Sequence, residues 1–167
     1  MKTPQQIKRQ NVRELFERVL QSQAVEISPH DISVKESWSS DFTVVDLAVS
    51  ETIGGTQTCR EITEDKAKGF VDGIFKACHG QYVSENPSLR NIRLVDYQVK
   101  PEFAPSKSLM GSDAKTTVSL IVEVKDRPRA EFKYTSRSIL YSSLAATLEA
   151  FQFYINCDKA FKRIQLI

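Results

Sequence analysis

The stretch of sequence that decides the fold is residues 114–155, AKTTVSLIVEVKDRPRAEFKYTSRSILYSSLAATLEAFQFYI. In its first part apolar side chains alternate with mostly polar ones. The apolar members are Val118, Leu120, Val122 and Val124. This period of two residues predicts a half-buried strand. A second short run over residues 130–135, with Phe132 and Tyr134 on one side, predicts another strand.

From Ser138 the apolar period lengthens to that of a helix. The apolar positions recur at steps of four, four, three and four residues, at Leu140, Leu144, Leu148, Phe151 and Ile155. Such a stripe buries one side of a helix and requires a surface to lie against. Residues 114–155 therefore predict two strands that lead into one long amphipathic helix.

Upstream, a helical stripe over residues 4–23 predicts a helix that either packs on its own domain or serves as a docking arm. The segments that follow are a turn at 28–31, a connector at 37–40, strands at 42–49 and 56–62 around the turn Gly54-Gly55, a helix from about Gly69 to His79-Gly80, a loop at 82–88, a strand at 89–99 and a loop at 101–113. Glycine suits both the turn and the end of that helix, because it accepts positive φ angles.

Composition excludes several classes of protein. The 167 residues include 23 basic and 21 acidic side chains, a balance that does not favour a nucleic-acid or lipid partner. Three cysteines without a Cys-x-x-Cys pair argue against a disulfide framework and for a reducing, cytoplasmic setting. His30 and His79 have no metal-ligand spacing, so neither a metal nor a cofactor is expected. No export signal or membrane-spanning run is present in the sequence.

An internal echo points to a duplicated unit. Residues 45–49 (VDLAV) and 95–99 (VDYQV) are identical at three of five positions, at an offset of 50 residues. Each copy precedes strand-like sequence and an apolar-striped helix. We therefore predict an α+β domain over residues 42–167, preceded by a helix and connector over 1–41. Its two βββα-like units, at 42–80 and 89–156, form antiparallel sheet covered by helices, and the short segment 56–66 predicts a degenerate first unit.

Four strings within residues 42–156 follow the order of a known family. Residues 67–73 (AKGFVDG) are similar to Gly-x-Gly-Pro-Val-Asp-Ala, 94–99 (LVDYQV) to Leu-x-Asp-Tyr-x-Val, 111–114 (GSDA) to Gly-Thr-Asp-Ala, and 136–143 (SRSILYSS) to Ser-x-Asp-Ile-x-x-Ala-Ser. These patterns are typical of the regulatory domain of alpha-isopropylmalate and citramalate synthases, the LeuA allosteric or dimerisation domain. The chain resembles that domain.

The resemblance implies a cytoplasmic homodimer that regulates branched-chain amino acid biosynthesis by binding leucine or a similar amino acid near the dimer interface, with a synthase-like chain as a further partner. Helix N-termini suit an amino-acid carboxylate, because their first amides are unpaired and the dipole is positive there. By position, the ligand would lie between two rims. The first rim is Gly69, Phe70, Val71 and Asp72, and the second is Thr135, Ser136 and Ser138.

The sequence also departs from the family pattern. Ala67 replaces the first glycine and Phe70 replaces the proline, which would bring a methyl group and a ring to the place where the ligand meets the backbone. Ser138 replaces an aspartate at the start of the last helix and keeps the ability to cap it. The (β/α)₈ barrel that carries catalysis in these synthases cannot be formed by residues 1–41.

Two readings of function remain open at this point. The first is a stand-alone, non-catalytic regulatory domain that binds an amino acid. The second is a ligand-free dimeric scaffold that docks on a partner through its N-terminal helix. Asp72 either binds the ammonium group of the ligand or is a first-turn carboxylate placed by the helix dipole, and Phe70 is either a pocket wall or a core filler. An enzyme is not expected, since no acid, base and nucleophile converge and no Gly-x-Ser-x-Gly elbow surrounds the serines near Ser138.

Overall fold

The computed structural model describes residues 4–102 and 114–166, with side chains from residue 11 onward. Most of the loop expected at 101–113, and with it most of the GSDA string, lies outside the described residues. Within them the helices are α1 (Pro4–Leu20), α2 (Phe70–Val83) and α3 (Ile139–Gln165), and the strands are β1 (Glu26–Glu36), β2 (Thr43–Ile53), β3 (Thr56–Ala67), β4 (Arg93–Glu102), β5 (Lys115–Glu123) and β6 (Ala130–Ser136). Short 3₁₀ turns cover Gln21–Gln23 and Pro87–Asn91.

The strands form two antiparallel sheets of the same plan. The first has the order β1-β2-β3 and is followed by α2, and the second has the order β4-β5-β6 and is followed by α3. The prediction of an α+β fold with two βββα units and an N-terminal helix is confirmed. The prediction of a degenerate first unit is wrong, because its strands are 11, 11 and 12 residues long.

Strand β1 corrects the turn predicted at residues 28–31. Those residues pair with β2, and a bulge between Pro29 and Asp31 absorbs the irregularity. Proline is tolerated here because β1 is an edge strand and needs ladder bonds on only one side. The first unit therefore begins at Glu26, inside the segment assigned above to the helix and connector.

Two other boundaries differ from the prediction. Helix α2 continues through Gly80 to Val83, since Gly80 does not adopt the positive φ of a helix-ending glycine. Strand β4 begins at Arg93, because Pro87–Asn91 forms a 3₁₀ turn. The turn at Gly54-Gly55 is confirmed, with φ angles of 59° and 81°.

The structural repeat does not coincide with the echo at residues 45–49 and 95–99. The first segment lies in β2, the middle strand of its sheet, whereas the second lies in the edge strand β4. The true equivalents are residues 31–35 (DISVK) and 96–100 (DYQVK), at an offset of 65 and again with three identities in five. Each follows a bulge, and in each the aspartate Oδ1 accepts a bond from the next backbone N–H, at 2.8 Å for Asp31 and 2.9 Å for Asp96.

One core joins both units. The middle strands contribute matching apolar triplets, Val45, Leu47 and Val49 from β2 and Val118, Leu120 and Val122 from β5. Helix α3 adds Leu144, Leu148, Phe151 and Ile155, all buried as the stripe predicts. The surface that the stripe of α3 requires is provided by β5 and β6 of its own unit and by β1, α1 and α2.

Helix α1 packs on its own domain. Phe16 and Leu20 are buried with Ala160 of α3, and the rings of Phe16 and Phe153 meet edge to face with centroids 5.4 Å apart. Arg13 forms an ion pair with Glu149 of α3. The apolar stripe of α1 is therefore engaged within the chain.

Polar side chains of α3 cover the place where the free edge of β1 begins. Asn156 accepts a hydrogen bond from the N–H of Val25 and donates one to its carbonyl, both at 2.8 Å. Gln152 accepts a bond from the N–H of Ile27 at 2.7 Å. Because unpaired strand edges promote aggregation, these bonds protect the edge as well as satisfy buried backbone groups.

Candidate functional site

An open groove of about 690 Å³ lies between α2 and the beginning of β4. Its apolar lining is Phe70, Val71, Phe75, Ile92 and Leu94, and its polar lining is Lys68, Gly69, Asp72, Lys76, His79 and Arg93. An apolar surface with a few ionisable groups at its rim is the usual composition of a small-molecule site. All four residues of the first predicted rim, 69–72, line this groove.

Gly69 sets the shape of the groove at the start of α2. Its backbone has φ 126° and ψ 163°, a combination that side-chain-bearing residues avoid, and space for a Cβ is open there. Gly69 is the N-cap residue and provides no side-chain bond to the helix, although its carbonyl accepts the bond from the N–H of Gly73 at 3.0 Å. The first turn of the helix consequently receives no side-chain cap from its N-cap residue.

Asp72 is held in place by groups on either side of it. Its Oδ2 accepts a hydrogen bond from the N–H of Lys68 at 2.9 Å and pairs with the Nζ of Lys76 at 2.8 Å. Partial burial opposes ionisation of this carboxyl, but the amide bond and the Lys76 ammonium outweigh it and lower its pKa below the ordinary value. Asp72 is thus a first-turn carboxylate held by Lys76 and by the backbone of Lys68, the residue before the N-cap.

Replacing Asp72 by asparagine tests the contribution of its charge. Asparagine still accepts the bond from Lys68, so the loss at neutral pH is small, about 0.5 kcal/mol, because the ion pair is half exposed and screened by water. A depressed folded pKa stabilises the protein above the unfolded pKa of aspartate and loses that contribution as the pH falls through the folded pKa. Urea unfolding across acidic pH is expected to show wild type and variant converging below the ordinary value of 3.8. A difference that is constant with pH would contradict this role of the charge.

The two departures from the family pattern take particular places here. Phe70 is half-buried, meets Tyr97 of β4 edge to face with centroids 6.3 Å apart, and forms a wall of the groove without closing it. Ala67 is fully buried, so its methyl group lies in the core and not in the groove. The prediction that the Ala67 methyl group lies where the ligand meets the backbone is therefore wrong.

The second predicted rim lies at the end of β6 and the start of α3, and its residues are not among those that line the groove. Thr135 shares a 2.6 Å hydrogen bond with Thr117, and Ser136 shares one of 2.7 Å with Ser142. Ser138 caps α3 by accepting a bond from the N–H of Tyr141 at 3.2 Å, which confirms its predicted capping. Within one chain these three hydroxyls serve the local structure.

Several groove residues had no signal in the sequence. Ile92, Arg93 and Leu94 come from the start of β4, and His79 from the second half of α2. The position of His79 is linked to that neighbouring segment, since its Nε2 lies 3.4 Å from the carbonyl oxygen of Arg90. These residues meet Gly69 only because α2 packs beside β4.

A second polar cluster lies at the other end of the first sheet. Glu51 is buried and pairs with Arg60, with 3.0 Å between Oε1 and Nε, and Arg60 also reaches Glu85 at 3.3 Å. Burial, together with the Glu51 carboxylate, raises the pKa of Tyr82 far above its ordinary value. Glu51 thus has a cationic partner in Arg60, which is what a buried carboxylate requires.

The buried Cys78 and the partly buried Cys157 are poor nucleophiles. Burial raises the pKa of the Cys78 thiol to about 12 and that of Cys157 to about 11. The thiolate is the reactive form, so both are inert at neutral pH.

Among the described residues no three His, Cys, Asp or Glu side chains gather as metal ligands. No helix of the described chain combines the length and apolar character needed to cross a membrane.

Comparison with known proteins adds no assignment. No protein-family profile matches the sequence, and no curated protein matches it significantly.

Proposed function

We propose that this chain is a non-catalytic regulatory domain, similar to the LeuA allosteric domain, whose groove at Gly69 binds a small amino acid with an apolar side chain. The observation that carries the proposal is an open groove at the start of α2, the place in the first βββα unit where the resemblance puts the ligand. Two complete βββα units in the order of that family support it.

The composition of the groove suits such a ligand. A carboxylate would meet the amides of the first turn of α2 and the ammonium of Lys68, where the helix dipole favours negative charge. A branched side chain would lie on the apolar surface formed by Phe75, Ile92 and Leu94. The ammonium group of the ligand would approach Asp72, which already has a cationic partner in Lys76. We therefore expect the carboxylate and the side chain to supply most of the affinity.

Ligand binding is tested by thermal unfolding with millimolar leucine, isoleucine or valine, and with glycine as a ligand that lacks the side chain. A ligand that binds only the native state at 100 times its Kd adds about 2.7 kcal/mol. For a domain of this size that corresponds to a rise in Tm of roughly 5–10 °C. Calorimetric titration measures the Kd directly.

Two matched lysine variants locate the site. Lys68→Met removes a groove cation and is expected to weaken binding, whereas Lys66→Met changes an exposed lysine outside the groove lining and leaves it intact. If none of the three branched amino acids raises Tm or releases heat, the proposal of an amino-acid sensor is wrong.

The alternative of a scaffold that docks through its N-terminal helix receives less support. The apolar stripe of α1 is buried against α3 through Phe16 and Leu20. A docking arm would need that face exposed.

A further inference from the structure

The hairpin between β1 and β2 displays the one tryptophan of the chain. Trp38 is fully exposed at the hairpin tip, and Phe42 beside it is about half exposed at 49 %. Trp38 occupies the second position of a β-turn that is closed by a 3.1 Å bond from the N–H of Ser40 to the carbonyl of Ser37. The tip therefore has a defined conformation with an apolar ring in water.

Serine hydroxyls brace this turn on both sides of the indole. The hydroxyls of Ser37 and Ser39 are 2.9 Å apart. The Ser40 hydroxyl accepts a bond from the N–H of Phe42 at 3.1 Å and donates one to its carbonyl at 3.2 Å. A turn whose backbone is already ordered loses less entropy on binding, and tryptophan is among the commonest energetic anchors of interfaces. These features are those of a recognition element.

The hairpin tip and the Gly69 groove lie at the same end of the molecule. Glu36 pairs with Thr43, which in turn pairs with Ala67, and the groove begins at the next residue, Lys68. Six residues, 37–42, extend beyond that row. At about 3.3 Å per residue, three residues on each side carry the tip roughly 10 Å further.

The tip and the groove complement each other in chemistry. The groove offers an apolar floor with three cations at its rim, of which Lys76 is already paired with Asp72 and Arg93 with Glu123, so Lys68 is the one best placed to meet a new partner. The tip offers an indole with one carboxylate on each side along the chain, Glu36 and Asp41. Indole faces attract lysine and arginine cations, and the flanking carboxylates pair with the same groups.

We propose that two copies of this chain exchange their hairpin tips, so that Trp38 of each occupies the Gly69 groove of the other. Because both elements lie at one end, a single twofold axis there allows both contacts at once, which is the arrangement of an isologous dimer. The inference uses the groove of the proposed function but does not require an amino acid to bind there. An amino acid that does bind competes with the tip, so ligand and dimer formation oppose each other.

The single tryptophan makes the exchange directly observable. On raising the protein concentration from nanomolar to high micromolar, Trp38 emission is expected to shift to shorter wavelength and to lose its sensitivity to acrylamide quenching. Sedimentation should show dimers over the same range. Trp38→Ala is expected to raise the dimer Kd at least about 100-fold, since two interface anchors are lost per dimer. Phe161→Ala, which removes another exposed aromatic ring at the end of α3, is the matched control and leaves Kd unchanged.

Mixing two variants tests the exchange between chains. Trp38→Ala keeps an open groove without a tip, and Val71→Phe keeps the tip with a filled groove. Trp38 of the second variant should be exposed when that variant is alone and protected only after the first is added. If Val71→Phe does not fold, Lys68→Glu replaces it, because charge reversal at the exposed rim weakens the contact without changing the core.

Several results would overturn the proposal. Emission that stays at long wavelength up to high micromolar protein, or dimers whose Trp38 remains quenched by acrylamide, would show that the groove does not take the tip. A blue shift independent of concentration would place Trp38 in its own groove. A shift that requires lipid vesicles would assign the tip to a membrane surface. Amino-acid binding measured by calorimetry is a separate outcome, and its absence leaves the exchange standing.

Discussion

Replacing Gly73 by alanine is expected to destabilise the protein by about 1–3 kcal/mol, the usual range for an overpacked core. A Cβ at this position would lie 2.4 Å from the Cγ2 of Val45 and 3.1 Å from the Cβ of Ala67. Neither neighbour can move easily, because Val45 and Ala67 are completely buried. The glycine is therefore what allows α2 to approach the first sheet.

Gly80 in the same helix provides the matched control. A Cβ there meets no atom within 4 Å, so Gly80→Ala is expected to stabilise the protein by about 0.5–1 kcal/mol, the ordinary gain for alanine in a helix. Chemical unfolding of both variants measures the difference. Val45→Ala in the Gly73→Ala background should cost less than the sum of the single changes, because it removes the methyl group in the clash. Two glycine variants with shifts of the same sign would contradict this account of the contact.

Replacing Asn156 by leucine is expected to destabilise the protein by about 2–4 kcal/mol. The side chain is 5 % exposed and satisfies both backbone polar groups of Val25, itself buried. Leucine is similar in size, so little cavity is formed, but the N–H and carbonyl are left without partners, at about 1–3 kcal/mol for each buried group. Equilibrium unfolding gives the loss, and hydrogen exchange at the Val25 amide locates it.

Gln152→Leu separates this effect from a general loss of polarity. Gln152 satisfies one backbone group, the N–H of Ile27, in a partly buried setting. Its replacement is expected to cost about 1 kcal/mol. If the Asn156 variant is as stable as the Gln152 variant, or more stable, then the two hydrogen bonds from Asn156 to Val25 do not stabilise the edge of β1 as described.

The sequence predicted elements well wherever one chain segment determines its own pattern. The alternating residues of β5, the stripe of α3 and the cap at Ser138 are all local signals, and all three are confirmed. The turn predicted at residues 28–31 was wrong because the strand β1 depends on a partner that is distant in sequence. Pro29 and the polar residues around it resemble a turn, whereas they form a strand because they pair with residues 48–50 of β2.

The second feature that the sequence did not predict is the alignment of the two repeats with each other. Two pairs of segments each match at three of five positions: 45–49 with 95–99, and 31–35 with 96–100. The number of identities therefore does not show which pair is structurally equivalent. What distinguishes the second pair is a bulge before each aspartate, which fixes which residues face the core. Bulges depend on the partner strand, so strings alone do not reveal them.

The candidate site was predicted in part. The glycine and the first helical turn that follows it, 69–72, were identified, and the groove is there. Its opposite wall was not, because residues 92–94 reach it through the packing of α2 beside β4. Trp38 was assigned to a connector, since nothing in the neighbouring sequence indicates that serine hydroxyls fix its turn.

Helix α3 closes the second repeat and at the same time covers the edge of the first, with Gln152 and Asn156 bonded to the start of β1. Phe151, on the same helix, meets both Phe75 and Tyr82 of α2. The repeats are two in sequence but share one interior, so neither half retains a complete core without the other. We therefore expect the two units to fold in a single cooperative event. During synthesis the first unit cannot complete its core until α3, the last helix of the chain, has been made.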